Sequence, residues 1–259
     1  MTIFASKVNG GDVASHSRCF NGFTLAEVLI TLGIIGVVAA MTLPTLIANF
    51  QRQIYLNQLK KNYAIVAQAM SLMRAEYDNI DPVQMPFVES YWGHKAVLNT
   101  NTFAEEFKKY APVMWSKDNR GYYCFENTSD YNVKAMGGYS TSADPRDNGN
   151  SYSFILNNGA CITVYRNGWE WNDTEHAPVS ITIDVNGNNK NPNQYGLDIF
   201  RFVLKPDGRL LPWGYWLTDM DSDWSNGCRT DGRGLGLGCS TKIINNSWTF
   251  PSNYPKINK

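Results

Sequence analysis

The 259-residue sequence has no surplus of either charge, with 23 Lys plus Arg against 23 Asp plus Glu. No global field therefore argues for nucleic acid as an obligatory partner. It has no G-x-S-x-G, no Walker loop and no H-E-x-x-H, so no catalytic constellation survives inspection and no enzymatic activity is expected. It also has no C-x-x-C and no internal repeat. Gly232, Gly234, Gly236 and Gly238 alternate, yet the pattern is not the dinucleotide fingerprint, and it lies between two cysteines instead of between a strand and a helix. The most telling absence is local. Residues 28–51, a run of 24 positions, contain no charged side chain, and roughly 20 apolar positions suffice to cross the hydrocarbon core of a bilayer.

What fills that run is VLITLGIIGVVAAMTLPTLIANFQ, with Glu27 immediately before it. An ionised carboxylate in a spanning segment costs on the order of 2.5–3.5 kcal/mol on insertion scales and calls for a partner. No basic side chain lies near it within the helix. A cut between Gly22 and Phe23 supplies a cation, because the new α-amine of Phe23 stands at the i, i+4 spacing before Glu27. An ordinary secretory signal is cleaved after its apolar core; here Lys7 and Arg18 precede the glycine and the apolar run follows it.

The stretch from Gly22 to Ile30, G-F-T-L-A-E-V-L-I, resembles the type IV pilin and pseudopilin family, whose precursors carry a class III signal ending in glycine. The resemblance in sequence covers about residues 20–55. It implies that a prepilin peptidase removes residues 1–22 by cutting after Gly22, that Phe23 becomes the N-methylated terminus, and that Glu27 pairs with an N-terminal amine during filament assembly. Gly33, Gly36 and Pro44 fall where pilin spines have their helix-loosening positions. The partners implied are other pilin subunits in a homo- or hetero-filament, the prepilin peptidase, the inner-membrane assembly platform and the lipid bilayer. The location implied is the inner membrane as a single-pass precursor, then a periplasmic or cell-surface filament.

Loss of residues 1–22 removes Cys19 and leaves His94 and His176 as the remaining histidines, too few ligands for a zinc site. Cys124, Cys161, Cys228 and Cys239 remain. In an oxidising compartment two disulfides are expected, with three connectivities open. Cys228 and Cys239 frame the glycine-rich RTDGRGLGLG, which needs a staple to be ordered, so the expected pairs are Cys228 with Cys239 and Cys124 with Cys161.

The helical pattern continues past Pro44. Tyr55, Leu59, Tyr63, Val66, Met70, Met73 and Tyr77 draw one apolar stripe, while Arg52, Lys60, Lys61 and Arg74 lie on the other face. The expected organisation is a cleaved leader at 1–22, a transmembrane half of the spine helix at 23–50, an amphipathic half at 51–78 and a globular head at 79–259. Residues 79–100, with Pro82 and Pro86, are predicted as a connecting loop. A short helix follows, with Thr102 and Glu105 fitting a capping box and Phe103, Phe107 and Tyr110 on one face. The runs RGYYCFE, SYSFILNN, ACITVYR, VSITIDV, DIFRFVL and GRLLP read as strands, with Asn158-Gly159 a hairpin signal and Pro206, Asp207 and Gly208 a turn. Residues 126–150 and 218–240 are predicted surface loops. A long amphipathic helix followed by hairpins predicts an α+β fold, the helix packed on an antiparallel sheet.

Two oxygen-rich loops are candidate calcium sites. The first holds Asp184, Asn186, Gly187 and Asn188 and continues through Asn191, Pro192 and Asn193 to Asp198; the second holds Asp219, Asp221 and Asp223. Hard cations want several oxygens at once, although Asn, Asp and Gly are also ordinary turn formers, and turn formation is the default with no cofactor. The first loop resembles a D-x-N-G…P-N…G-x-D segment found in many pilin-like proteins, and major pseudopilins of type II secretion bind calcium in a loop of their sheet. All eight tryptophans lie outside the spine, Trp169, Trp171, Trp213 and Trp216 in close pairs, and are expected to serve mainly as core. The function expected is a structural subunit of a type IV pilus or a type II secretion-like pseudopilus. The alternative is a low-abundance tip or minor pilin that binds a glycan, a surface or DNA.

Overall fold

A computed structural model describes residues 23–77, 84–91, 95–118, 124, 133–138, 151–166, 179–187 and 190–255. The leader with Gly22 and Cys19, both remaining histidines His94 and His176, Trp169, Trp171, Asn188, the RGYYCFE run apart from Cys124, and most of 126–150 lie outside the described residues. The chain divides into two compact units, Met1–Ala48 and Asn49–Lys259. Helix α1, Leu25–Glu76, begins in the first and ends in the second.

In the first unit the large apolar side chains of α1 are exposed, from Leu25 through Ile47. Pro44 lies inside the helix without ending it. Among the described residues α1 is the one helix that is long and apolar enough, by length and composition, to cross a membrane.

In the second unit α1 buries Leu56, Leu59, Asn62, Val66, Ala69, Met70 and Met73. The predicted stripe is therefore present, with Tyr55, Tyr63 and Tyr77 half-buried along its margins. Strands β1 (Val88–Tyr91) and β2 (Lys95–Leu98) pair antiparallel. Helix α2 (Thr100–Lys108) follows, and then β3 (Val113–Asp118), β4 (Ser151–Leu156), β5 (Cys161–Arg166), β6 (Val179–Asp184), β7 (Ile199–Leu204) and β8 (Leu210–Pro212) form one sheet in chain order. Every neighbouring pair in it is antiparallel. A last short helix, α3, spans Cys239–Asn245.

Register explains the core. Phe154, Ile162, Ile183 and Phe200 stand opposite one another across β4 to β7, and Tyr152, Val164, Ile181 and Phe202 form the next row. These rows share one buried cluster with the α1 stripe and with Phe103 and Phe107 of α2; each such side chain contributes about 1.5–3 kcal/mol on full burial. Tyr63 locks the helix to the sheet: its ring lies 5.4 Å from Phe202 and its hydroxyl donates to the Leu210 carbonyl at 2.8 Å. The opposite face carries Ser153, Thr163, Thr182 and Arg201 in register, and these too are buried.

Three differences from expectation have local causes. Residues 79–100 contain β1 and β2 instead of loop alone. Helix α2 starts at Thr100, not Thr102, because the Asn99 side chain accepts from the N–H of Asn101 and Thr102 at 3.0 and 3.1 Å, the usual work of an N-cap. Helix α3 lies where the sequence suggests no element. It is tied down by Ser240, whose hydroxyl donates to the Arg201 carbonyl, and by Thr241, whose hydroxyl donates to the Trp213 carbonyl, both at 2.6 Å.

Candidate functional site

The two ends of interest are the start of α1 and the β6–β7 connection. At the first, Thr24 and Glu27 form a capping box. The N–H and the hydroxyl of Thr24 donate to Glu27 Oε2 at 2.8 and 2.9 Å, and the Glu27 N–H donates back to Thr24 Oγ1 at 3.2 Å. The carboxylate of the uncut chain is thus served by its own first turn, beside the positive end of the helix dipole. The T-x-x-E spacing that announces this arrangement is visible in the sequence; Thr24 is the partner that reasoning from charge alone passes over. Phe23, the residue before the cap, is exposed.

The β6–β7 connection brings together the three residues expected there. Asp184 is the last residue of β6 and stands opposite Ile199, so Asp198 is its near neighbour across the strand pair. Both aspartates are fully buried. Asp184 Oδ1 accepts from the N–H of Asn186 and of Gly187 at 3.2 and 3.0 Å. Asp198 accepts from the N–H of Asn193 at 2.9 Å and of Gln194 at 2.7 Å, and from the Asn186 amide at 3.1 Å. Burial pushes the Asp198 carboxyl up to about 6 against the pull of these donors. Asp184 is raised well above the usual carboxylate range, by burial first and by the charge of Asp198 second, with Lys190 pulling the other way. On the helix side the Tyr55 phenol is raised by burial, countered by a hydrogen bond with Asn186 and reinforced by Asp198 and Asp184.

Gly187 explains why the segment turns as it does. Its φ is +90°, and a Cβ there would stand 1.9 Å from the Gly159 carbonyl oxygen, so only glycine fits. The segment is thereby pressed on the β4–β5 turn, where Asn158 donates to the buried Asn62 of α1 at 2.7 Å. Asn62 is a polar member of the stripe that hydrophobic periodicity does not find.

The second acidic loop uses its carboxylates differently. Asp219 accepts from the Asp221 N–H at 2.8 Å, and Asp223 accepts from the N–H of Ser225 and Asn226 at 2.8 and 2.7 Å. Asp221 accepts from the N–H and hydroxyl of Thr230 and faces Lys242 at 3.6 Å. Partial burial would raise Asp221 and Asp223, but these donors hold both below their ordinary value. No three His, Cys, Asp or Glu side chains converge among the described residues.

The cysteines pair as expected, Cys124 with Cys161 and Cys228 with Cys239. The glycine-rich loop inside the second bridge is folded into the domain instead of standing free. A Cβ on Gly236 would meet Met136 at 2.7 Å and one on Gly238 the Asn226 carbonyl oxygen at 2.2 Å. Trp248 packs on the core and Trp213 stacks under Arg201, 4.3 Å from ring centroid to guanidinium. Trp216 and Trp224 are 42% and 50% exposed, so the core role expected of the tryptophans does not extend to these two; Phe and Tyr fill the core instead.

Residues 17–43 match the family model of the prokaryotic N-terminal methylation motif. This is a type IV pilin-like class III signal. Such a signal implies a membrane-anchored precursor that a prepilin peptidase processes and that assembles with other pilins. No curated protein and no solved structure matches the chain.

Proposed function

We propose that the protein is a filament subunit of a type IV pilus or a type II secretion-like pseudopilus, cut after Gly22, methylated at Phe23 and extracted from the inner membrane into a helical polymer. The observation that carries this is the conjunction of the methylation motif with a helical segment whose large apolar side chains are exposed and whose one charged side chain, Glu27, stands in its first turn. Apolar helices pack on one another equally well at several heights, so a single charge pair between Glu27 and a terminal amine sets the register. The capping box makes the test sharp. Glu27→Gln keeps a side-chain acceptor for Thr24, as capping boxes allow, and removes the charge. Co-expressed with wild-type chain, a tagged Glu27→Gln subunit is expected to insert, be cut and yet fail to enter filaments. Entry at the wild-type level would reduce Glu27 to a cap and remove its assembly role.

A second reading is a low-abundance tip or minor subunit whose head binds a glycan, a surface or DNA. The exposed rings of Trp216 and Trp224 favour it. Abundance in sheared filaments separates the two, since a major subunit dominates that fraction and a tip subunit does not.

A further inference from the structure

We propose that the cleft between α1 and the β7–β8 turn receives Trp224 of a second copy of this chain, so that successive heads join end to end. The proposal rests on the filament reading and goes beyond it by naming a contact between heads. The cleft measures about 440 Å³, inside the about 300–1,000 Å³ of clefts that hold small organic groups. Tyr63, Ala67, Ser71 and Arg74, on successive turns of α1, line one wall, and Arg209 and Leu210 line the other. Both walls are fixed. The Tyr63 hydroxyl donates to the Leu210 carbonyl at 2.8 Å, and a Cβ on Gly208 would stand 3.4 Å from the Cβ of Arg74. Arg209 holds Asp207 at 2.6 Å while its side chain stays 67% exposed, so the lining is apolar at Ala67 and Leu210 and basic at its rim.

Shape and charge choose the occupant. Trp224 is 50% exposed, at the crest of a turn in which Asp223 accepts from the N–H of Ser225 and Asn226 at 2.8 and 2.7 Å. Its backbone is held from the other side, because its carbonyl accepts from the Leu235 N–H at 2.9 Å and a Cβ on Gly234 would stand 2.6 Å from that oxygen. An indole presented on a fixed backbone loses little freedom on docking, and Trp and Arg are among the residues that most often anchor interfaces. The charges agree. Between residues 219 and 233 the Trp224 loop carries four aspartates against two arginines, and the cleft carries Arg74 and Arg209 against Asp207; complementary charge decides which surfaces meet. Trp216, the other exposed ring, rests edge-on against Trp213 and Tyr215 with centroids at 5.3 and 5.1 Å and is left to the second reading.

Position makes the contact intermolecular. The cleft lies at the end of β7, where the turn after Leu204 closes with the Lys205 N–H on the Arg209 carbonyl. The Trp224 loop lies by the start of β7, where Leu235 and Leu237 pack with Ile199 in one apolar cluster. The length of β7 separates them, about 20 Å for its six extended residues, so a chain does not fill its own cleft. Each copy presents an indole at one end and a cleft at the other. Such a contact is heterologous: it leaves one of each unfilled and therefore propagates into an open chain.

The test uses the full chain in cells with an active prepilin peptidase, carrying Ser71→Cys in the cleft and Ser225→Cys beside the indole. Both serines are exposed, and Ser225 serves Asp223 through its N–H, which the exchange keeps. After mild oxidation, non-reducing gels of membranes and of sheared filaments are expected to show a ladder of dimer, trimer and higher species in the double variant and no ladder in either single variant. Adding Trp224→Ala is expected to reduce the ladder about tenfold or more, as truncation of an interface anchor does, while the head melts as before. Where Trp224→Ala melts early, Arg209→Ala at the exposed rim takes its place, with a loss of the same sign expected. No cross-linked species in either fraction, a product that stops at the dimer, or a ladder undiminished by these substitutions each overturns the proposal. A ladder in the membranes of cells that make no filaments upholds the contact and removes the filament reading, whereas filaments without a ladder uphold that reading and overturn the contact.

Discussion

Helix α1 carries one 3.6-residue period through two different regimes. In residues 25–48 the large apolar side chains are exposed, and the hydroxyls of Thr31 and Thr42 turn back to the carbonyls of Glu27 and Val38 at 2.9 and 3.0 Å. In residues 49–76 a stripe from Leu56 to Met73 is buried against the sheet, while Lys60 and Lys61 remain in solvent. The first regime has no charged side chain besides Glu27, so on the proposed filament reading its specificity is concentrated in the first turn. In the second, specificity is distributed over many contacts, and no single residue decides it. One substitution can therefore abolish a function of the first half without touching stability, whereas the second half answers to substitution in kcal/mol.

The comparison breaks if that division fails. Glu27→Ala is expected to lower incorporation into filaments roughly a hundredfold or more, in line with the about 3–5 kcal/mol that breaking a desolvated charge pair costs, with the thermal midpoint of the head unchanged; filament yield and tryptophan fluorescence melting measure the two. Phe202→Ala is the opposite experiment. Phe202 is fully buried beneath Tyr63, and truncation of such a ring costs about 3–5 kcal/mol. Denaturant melts should show that loss while membrane insertion stays at the wild-type level. Removing the Cys124–Cys161 bridge, 37 residues apart, is expected to cost roughly 4 kcal/mol, and the Cys228–Cys239 bridge, 11 apart, roughly 3 kcal/mol, on loop-closure entropy. Paired serine variants compared in the same melts test the order. The smallest effect is Asn99→Ala, about 1 kcal/mol, read as fraying of α2.

Much of the head was legible because its strands announce themselves. SYSFIL, CITVYR, VSITID and IFRFVL are dense in β-branched and aromatic residues, and the Asn158-Gly159 signal lies between the first two. The elements missed lack such signals. Strands β1 and β2 have four residues each, too short for a period to show. Strand β3 contains Lys117 and Asp118, a composition that reads as loop, and among the described residues it pairs with β4 alone. Helix α3 has poor intrinsic helix formers in Cys239, Ser240 and Thr241 and is held by tertiary contacts instead: the Arg201 and Trp213 carbonyls, the Cys228–Cys239 bridge and the buried Ile243. The same limit applies at the sites. Asp184, Asn186 and Asp198 were readable as polar loop residues, whereas the Lys190 and Asn191 carbonyls that accept from the Asn186 amide carry no mark in the sequence, because any residue has one. Nor could spacing separate the two acidic loops. Asp221 and Asp223 differ from Asp184 in what their oxygens meet: Thr230 and Lys242 reach Asp221 from farther along the chain, and Ser225 and Asn226 of its own turn serve Asp223.

The assembly role proposed for the first half of α1 rests on its first turn being remade by proteolysis. The most direct measurement is the intact mass and N-terminal sequence of the protein recovered from membranes of cells with an active prepilin peptidase. A chain that begins at N-methyl-Phe23, lacking residues 1–22, is the predicted result. A chain that retains those residues under the same conditions would contradict it, since Glu27 would then have only Thr24 to answer to and no amine with which to set a filament's register.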